Sequence, residues 1–206
     1  MIKAAIFDLD GTLVSTANVH KTAWELALKD LNISVNVKLD NLMGMRTIEI
    51  AKILGGDRYL ELFNKKNEYY KDLVIKMAKP TPCAVEILKN LRENNIKIAI
   101  VTSSLKASAE LSLSILNFSP DLLIAGDEVK NGKPNPEPVI SALNKLMVKA
   151  DETFAVGDTM QDIIAYNRSN IQKIYLVIND ININREEAKN YGARIINTLC
   201  DLFKEI

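Results

Sequence analysis

The sequence predicts an α/β protein in which a parallel β-sheet is interrupted, just after its first strand, by an all-helical insertion. Three observations predict it. Strand and helix patterns alternate from residue 80 to the end of the chain. No convincing strand pattern occurs between residues 16 and 79. The first apolar run, Ala4-Ala5-Ile6-Phe7, ends in Asp8-Leu9-Asp10-Gly11, a polar edge rather than a returning hairpin. Alternation of this kind implies right-handed crossovers and a sheet covered on both faces. A Rossmann-like core is thus expected from residues 1–15 and 81–206, with an inserted α-helical cap from residues 16–80.

Each element follows from its pattern. The run 4–7 reads as a buried strand. Residues 17–31 place Val19, Ala23, Leu26, Ala27 and Leu31 at helical spacing, and 47–54 and 59–77 continue in the same style. Polar turns at 32–36 and around Gly55-Gly56 join these into a small bundle. The Lys-rich stretch 65–79, interrupted by Glu68 and Asp72, is expected as a solvated helix face. Pro80-Thr81-Pro82 then breaks the chain. Beyond it come helix 84–94, strand 96–101, helix 105–116, strand 122–125, helix 136–147, strand 153–156, helix 160–169, strand 173–178, a short strand 194–196 and a final helical turn. Two crossings, near 13–16 and 78–82, tether the insertion and are expected to hinge it as a lid.

In open parallel sheets, ligands bind beyond the carboxyl ends of the strands, and there the polar residues gather. Asp8 and Asp10 project to the same side of the first strand, because residues i and i+2 share a face. Two carboxylates about 4 Å apart repel by roughly 4 kcal/mol at an effective dielectric of 20, so the pair asks for a proton, a cation or reaction chemistry. Asp-Gly is also a hairpin signal, but a helical pattern follows it. The second strand ends in Thr102-Ser103-Ser104, the third is followed by Gly132-Lys133-Pro134, and the fourth ends in Gly157-Asp158-Thr159-Met160-Gln161-Asp162. Singly, these read as a helix cap, a loop lysine and a surface acid. Together they read as one site.

The order Asp-x-Asp-Gly-Thr, Thr/Ser after a strand, Gly-Lys-Pro and Gly-Asp-x-x-x-Asp resembles the haloacid dehalogenase superfamily, in particular its phosphatase branch with a small helical cap after the first motif. The resemblance covers nearly the whole chain. It implies that Asp8 is a nucleophile forming an aspartyl-phosphate, and that Asp10 is the general acid and then the base. Thr102, with Ser103 beside it, would donate to a phosphate oxygen, and Lys133 would neutralise the nucleophile and phosphoryl oxygens. Mg²⁺ is the implied cofactor, held by Asp8, the main-chain carbonyl of Asp10 and Asp158, with Asp162 holding a metal-bound water. Few carboxylates plus phosphate oxygens suit Mg²⁺, and phosphoryl transfer needs mainly positioning and charge stabilisation.

Some residues depart from the pattern. Ser15 stands where many relatives carry an acid, and Cys83 where glycine is frequent. The stretch His20-Lys-Thr-Ala-Trp24 and the Gly44-Met-Arg46 segment resemble β-phosphoglucomutase-like members. There His20 would face the cleft and Arg46 would bind a second phosphate or a carboxylate. Against a mutase, Gly157-Asp158 replaces two consecutive acids, and Gly132-Lys-Pro-Asn-Pro-Glu-Pro138 resembles phosphoglycolate phosphatase-like members. The expected activity is a phosphatase for small phosphate monoesters, phosphoglycolate-like or sugar phosphates. A phosphomutase is the alternative, and a non-enzymatic binding protein a third reading.

Composition bounds the partners. Apolar residues make up 48% of the 206, enough for a sizeable core. Lys plus Arg total 26 and Asp plus Glu 26, so no basic field favours nucleic acid or an anionic membrane. No apolar run is long enough to span a bilayer, and Met1 leads straight into the first strand, leaving no room for a signal peptide. Cys83 and Cys200 fit no metal spacing or redox pair and are expected as reduced thiols of a cytoplasmic protein. A small phosphorylated metabolite is the expected partner of a monomer or small homo-oligomer.

Overall fold

A computed structural model describes residues 1–179 and 183–205. Six strands form one sheet: β1 (Ala4–Phe7), β2 (Lys97–Val101), β3 (Leu122–Ile124), β4 (Thr153–Gly157), β5 (Lys173–Val177) and β6 (Ala193–Ile196). Their order is β3-β2-β1-β4-β5-β6, and every pairing is parallel. The chain runs outward from β1 in one direction, then returns to β4 on its other side. The order therefore reverses beside β1, and that switch point is where open α/β sheets place a ligand.

The strands are short and apolar because both faces are covered. Ala5 and Phe7 turn to one face, with Ile98, Ile100, Phe154 and Val156, and pack on α4 (Ala84–Glu93) and α5 (Lys106–Leu116). Ala4 and Ile6 turn to the other, with Ala99, Ala155 and Ile174, and pack on α6 (Glu137–Leu146) and α7 (Met160–Arg168). The period of two within β1 thus supplies both halves of the core.

Between β1 and β2 lie three long helices, α1 (Ala17–Asp30), α2 (Thr47–Gly55) and α3 (Tyr59–Met77). They bury a core of their own around Trp24, Leu28, Ile50, Leu54 and Leu62. A smaller cluster, Val19, Ala23, Tyr70 and Val74, packs against Leu111 and Ile115 of α5 and joins the helical layer to the sheet layer. The two crossings bond to each other. Ser15 N–H donates to Lys79 O at 2.8 Å, Thr81 N–H to Leu13 O at 3.0 Å and the Thr81 hydroxyl to Thr12 O at 2.7 Å.

Three expectations need correction. Cys83 and Cys200 are not separate thiols but a disulfide, although 117 residues part them in sequence. Sequence separation carries no information on this contact: the start of α4 and the terminal 3₁₀ segment Leu199–Lys204 pack side by side. The argument from reduced thiols to compartment falls with it. Cys83 also takes φ 63°, which accounts for the glycine frequent there in the resemblance. Next, Lys66 does not belong to a solvated face; it is 1% exposed. Finally, α8 (Arg185–Asn190) lies between β5 and β6, where no helix was expected. Among the described residues, no helix is long and apolar enough to cross a membrane.

Candidate active site

β1 delivers the first carboxylate: Asp8 N–H extends the ladder by donating to Val156 O at 2.9 Å, leaving the side chain at the sheet edge. Gly11 then turns at φ 88°, and a Cβ there would collide with the Asp158 carboxylate. The tight turn and the close approach both require glycine.

Around Asp8 the strand ends converge. Lys133 Nζ lies 2.7 Å from Asp8 Oδ1, donates to Val101 O at 2.9 Å and also pairs with Asp162 Oδ1. Oxygens of Asp8, Asp158 and Asp162 all lie within 4.8 Å of one another. Thr12 donates to Asp158 Oδ1 at 2.9 Å, and Asn179 donates to its other oxygen. Thr159 caps α7 and donates from both its N–H and hydroxyl to Asp162 Oδ2, at 3.0 and 2.6 Å.

Three buried carboxylates against one lysine leave surplus negative charge. Burial pushes the Asp8 carboxyl well up, and the neighbouring carboxylates add to that against the pull of Lys133. Burial and Asp162 push Asp158 up to about 7. Burial disfavours the Lys133 ammonium, but Asp162 and Asp8 prevail and hold it above the usual lysine range. This donor set, all carboxylate oxygen and over-charged, fits a small hard divalent cation such as Mg²⁺.

The expectation that Asp8 and Asp10 extend one strand face needs correction: β1 ends at Phe7, and Asp10, beyond the Asp8 position, takes its own partners from the core and from the helical layer. Thr16 donates to Asp10 at 2.6 Å, Ser104 at 2.7 Å and Thr102 at 3.2 Å, and His20 Nε2 stands 3.1 Å away. Burial works upward on this carboxyl, but the His20 ring and the two closest hydroxyls outweigh it and hold it well below the usual range. His20 is itself held: Lys66 Nζ lies 2.9 Å from Nδ1, and the Tyr70 ring stacks on the imidazole at 4.1 Å. Burial, then the Lys66 charge, lower the His20 pKa. A protonated Lys66 has only donors, and the Asp10 carboxylate only accepts, so in that state Nδ1 accepts from Lys66 and Nε2–H is left for Asp10.

A cavity opens between these groups and the helical layer. Asp8, Asp10, Thr102, Ser103, Ser104 and His20 line it. Ser103 Oγ is buried without a hydrogen-bond partner, a donor ready for a ligand oxygen.

Asp8, Asp10, Thr102, Ser103, Lys133, Asp158, Asp162 and His20, all named from sequence, thus meet at one edge. Arg46 does not line the cavity: its guanidinium donates to Val129 O at 3.1 Å and Lys130 O at 3.0 Å and pairs with Glu49 at 2.6 Å. Thr12, Ser104 and Thr159 lie inside the motifs read from sequence but were given no role there, and sequence reasoning missed Thr16, Lys66, Tyr70 and Asn179. For Lys66 a signal existed. It sits between Leu62 and Tyr70 on the four-residue stripe that α3 buries, Leu62, Lys66, Tyr70 and Val74.

A model of the haloacid dehalogenase-like hydrolase family matches residues 5–176. The chain is 32% identical over 177 residues to a phosphoglycolate phosphatase of Aquifex aeolicus, covering 82% of this chain and 81% of that protein. It is 29% identical over 185 residues to the pyrophosphatase PpaX of Oceanobacillus iheyensis, covering 83% and 81%. Among solved structures, a β-phosphoglucomutase from Clostridium difficile superposes with TM-score 0.83 at 26% identity, over 98% of this chain and 93% of that one. The family match spans β1 to β5, every strand end that supplies a carboxylate, the lysine or a cavity hydroxyl, and the chain is an enzyme belonging to the haloacid dehalogenase-like hydrolase family.

Proposed function

We propose that the chain is a Mg²⁺-dependent phosphatase acting on small phosphate monoesters through an aspartyl-phosphate on Asp8. The observation that carries this reading is the Asp8–Lys133 pair inside a three-carboxylate cluster, with Asp10 lining the same cavity but held by a separate set of partners, Thr16, Ser104 and His20. Two carboxylates with different environments are the mark of two roles.

Lys133 and the unpartnered Ser103 hydroxyl, with Thr102, orient a phosphoryl group against Asp8. A carboxylate oxygen of Asp8 attacks phosphorus as the bond to the leaving oxygen breaks, and Asp10, which must first take up a proton against the pull of its hydrogen bonds, gives that proton to the leaving oxygen. Asp10, now ionised, takes a proton from the water that attacks the aspartyl-phosphate, releasing phosphate and restoring both groups. Its hydrogen bonds from Thr16, Ser104 and His20 favour the ionised form and so the water step. Asp8, Asp158 and Asp162 would hold Mg²⁺, which supplies charge neutralisation to the phosphoryl oxygens. The helical layer over the cavity serves as a cap that excludes bulk water.

The test is phosphate release from a panel of monoesters with Mg²⁺ or EDTA, on wild type and Asp8→Asn. The expected result is EDTA-sensitive release, lowered at least 1,000-fold in the variant with its melting temperature kept. Undiminished turnover in a folded Asp8→Asn protein overturns the mechanism. A phosphomutase is the second reading, favoured by His20 reaching Asp10 from the helical layer. Isomerisation of β-glucose 1-phosphate with a bisphosphate primer, without phosphate release, would select it.

A further inference from the structure

The cavity has two unlike walls. The core wall holds Asp8, Asp10 and the hydroxyls already described. The facing wall, from α1, α2 and the segment between them, is Ala17, Trp24, Met43, Gly44, Met45 and Ile50, with Thr47 its one hydroxyl side chain and His20, already committed to Asp10, its one titratable group. Among the described residues, no lysine or arginine belongs to that facing wall; Lys133 serves the phosphoryl end, beside Asp8.

The two cations closest to that wall are committed elsewhere. Lys66 is sealed behind His20, its ammonium over the rings of Trp24 and Tyr70 at 5.4 and 4.8 Å. Arg46 is bound to two core carbonyls and to Glu49, and its stem lies where a Cβ on Gly132 would collide with it. It works as a clasp between the N-terminus of α2 and the loop carrying Lys133.

A leaving group bearing its own anion would therefore press that charge against thioether, indole and aliphatic carbon. A buried charge without a partner is strongly disfavoured. A compact uncharged alcohol meets the same wall as apolar surface, with Thr47 for one hydroxyl. We infer that the preferred substrate is the phosphate monoester of a small uncharged alcohol, the phosphate being its only anionic group. This rests on the phosphatase reading above. It sets the chain apart from the relatives named for pyrophosphate and phosphoglycolate, both of which carry a second anionic group.

The experiment compares kcat/KM, with Mg²⁺, for 2-hydroxyethyl phosphate and propyl phosphate against phosphoglycolate and pyrophosphate. The first and third differ chiefly in one charge. The expected result is at least a tenfold preference for the uncharged pair. In Met45→Lys, which places an ammonium on a stem of similar length, the preference should narrow tenfold or more toward phosphoglycolate. Wild-type preference for phosphoglycolate or pyrophosphate, lost in Arg46→Ala, would overturn the inference and make Arg46 the ligand of a second anion. The same preference surviving in Arg46→Ala overturns it equally. EDTA-insensitive or absent release from all four compounds would overturn the phosphatase reading itself, a distinct outcome.

Discussion

Lys66 stands one residue behind the reacting carboxylates, a cation 1% exposed between two aromatic rings and one imidazole. Burial pushes its pKa down to about 7 from the ordinary 10.5. Below pH 7 folded and unfolded chains both carry the proton, and the whole cost of the buried charge is present. As pH rises from 7 toward 10.5 the unfolded chain binds more protons than the folded one, so stability rises through that window. Lys66→Met keeps the stem and removes the charge. It should raise stability at pH 6 and flatten the rise between pH 7 and 10 in urea unfolding. Turnover should fall, because His20 loses the donor that assigns its Nε2–H to Asp10. A variant less stable than wild type at pH 6 would mean that the hydrogen bond to His20 outweighs the burial cost. Legibility at this scale divides by position. Asp8, Asp10 and Asp158 could be read because strand ends announce themselves by an apolar run stopping at a polar residue, and Lys133 because it stands in the Gly132-Lys133-Pro134 motif ahead of α6. Lys66 and Tyr70 were masked by the charge pattern of α3, which resembles a solvated face; only the stripe Leu62, Lys66, Tyr70 and Val74 marks them as buried, and burial alone assigns no role at the site.

Between elements, the clasp from α2 to the Lys133 loop is a steric fit as well as a set of hydrogen bonds. Gly132 has no Cβ, and one placed there would lie 2.5 Å from Arg46 Cγ. Gly132→Ala should therefore displace Arg46 or the loop and lower kcat/KM roughly tenfold, about 1.4 kcal/mol. In the Arg46→Ala background the stem is gone, so the added methyl should do little further harm. A double-mutant cycle reads this directly: strong non-additivity supports the clasp, and additive losses would remove it. The elements themselves were legible where periodicity and length agree, as in α1, α3 and α6, and at Pro80-Thr81-Pro82, where the chain leaves the helical layer. The helix α8 was not, because it is six residues long and buries only Ala188, too little for a period to show. The commitment of Arg46 to carbonyls 83 and 84 residues away was equally hidden, since backbone acceptors leave no trace in residue type.

At the scale of the whole chain, the Cys83–Cys200 bond joins two ends that the sheet alone does not connect. Cys83 follows the second crossing between the helical layer and the core, and Cys200 lies in the last turn beyond β6. The bond closes a loop holding β2 through β6, so its effect falls on the unfolded chain, whose freedom a long loop restricts most. Disulfides of this kind stabilise typically by about 2–4 kcal/mol, which for a chain of this size corresponds to roughly 5–15 °C in melting temperature. Calorimetry on wild type with and without a dithiol reductant should show a shift of that order, and Cys200→Ala should melt at the reduced wild-type temperature under both conditions. The variant separates the bond from any other action of the reductant. The site should be less affected than the fold, because Asp8, Lys133 and Asp158 are held by strand ends and by one another rather than by the C-terminal turn. Reduction that abolished turnover while leaving the melting temperature unchanged would contradict this division. It would mean that the bond acts on the hinge beside Pro82 rather than on the stability of the core.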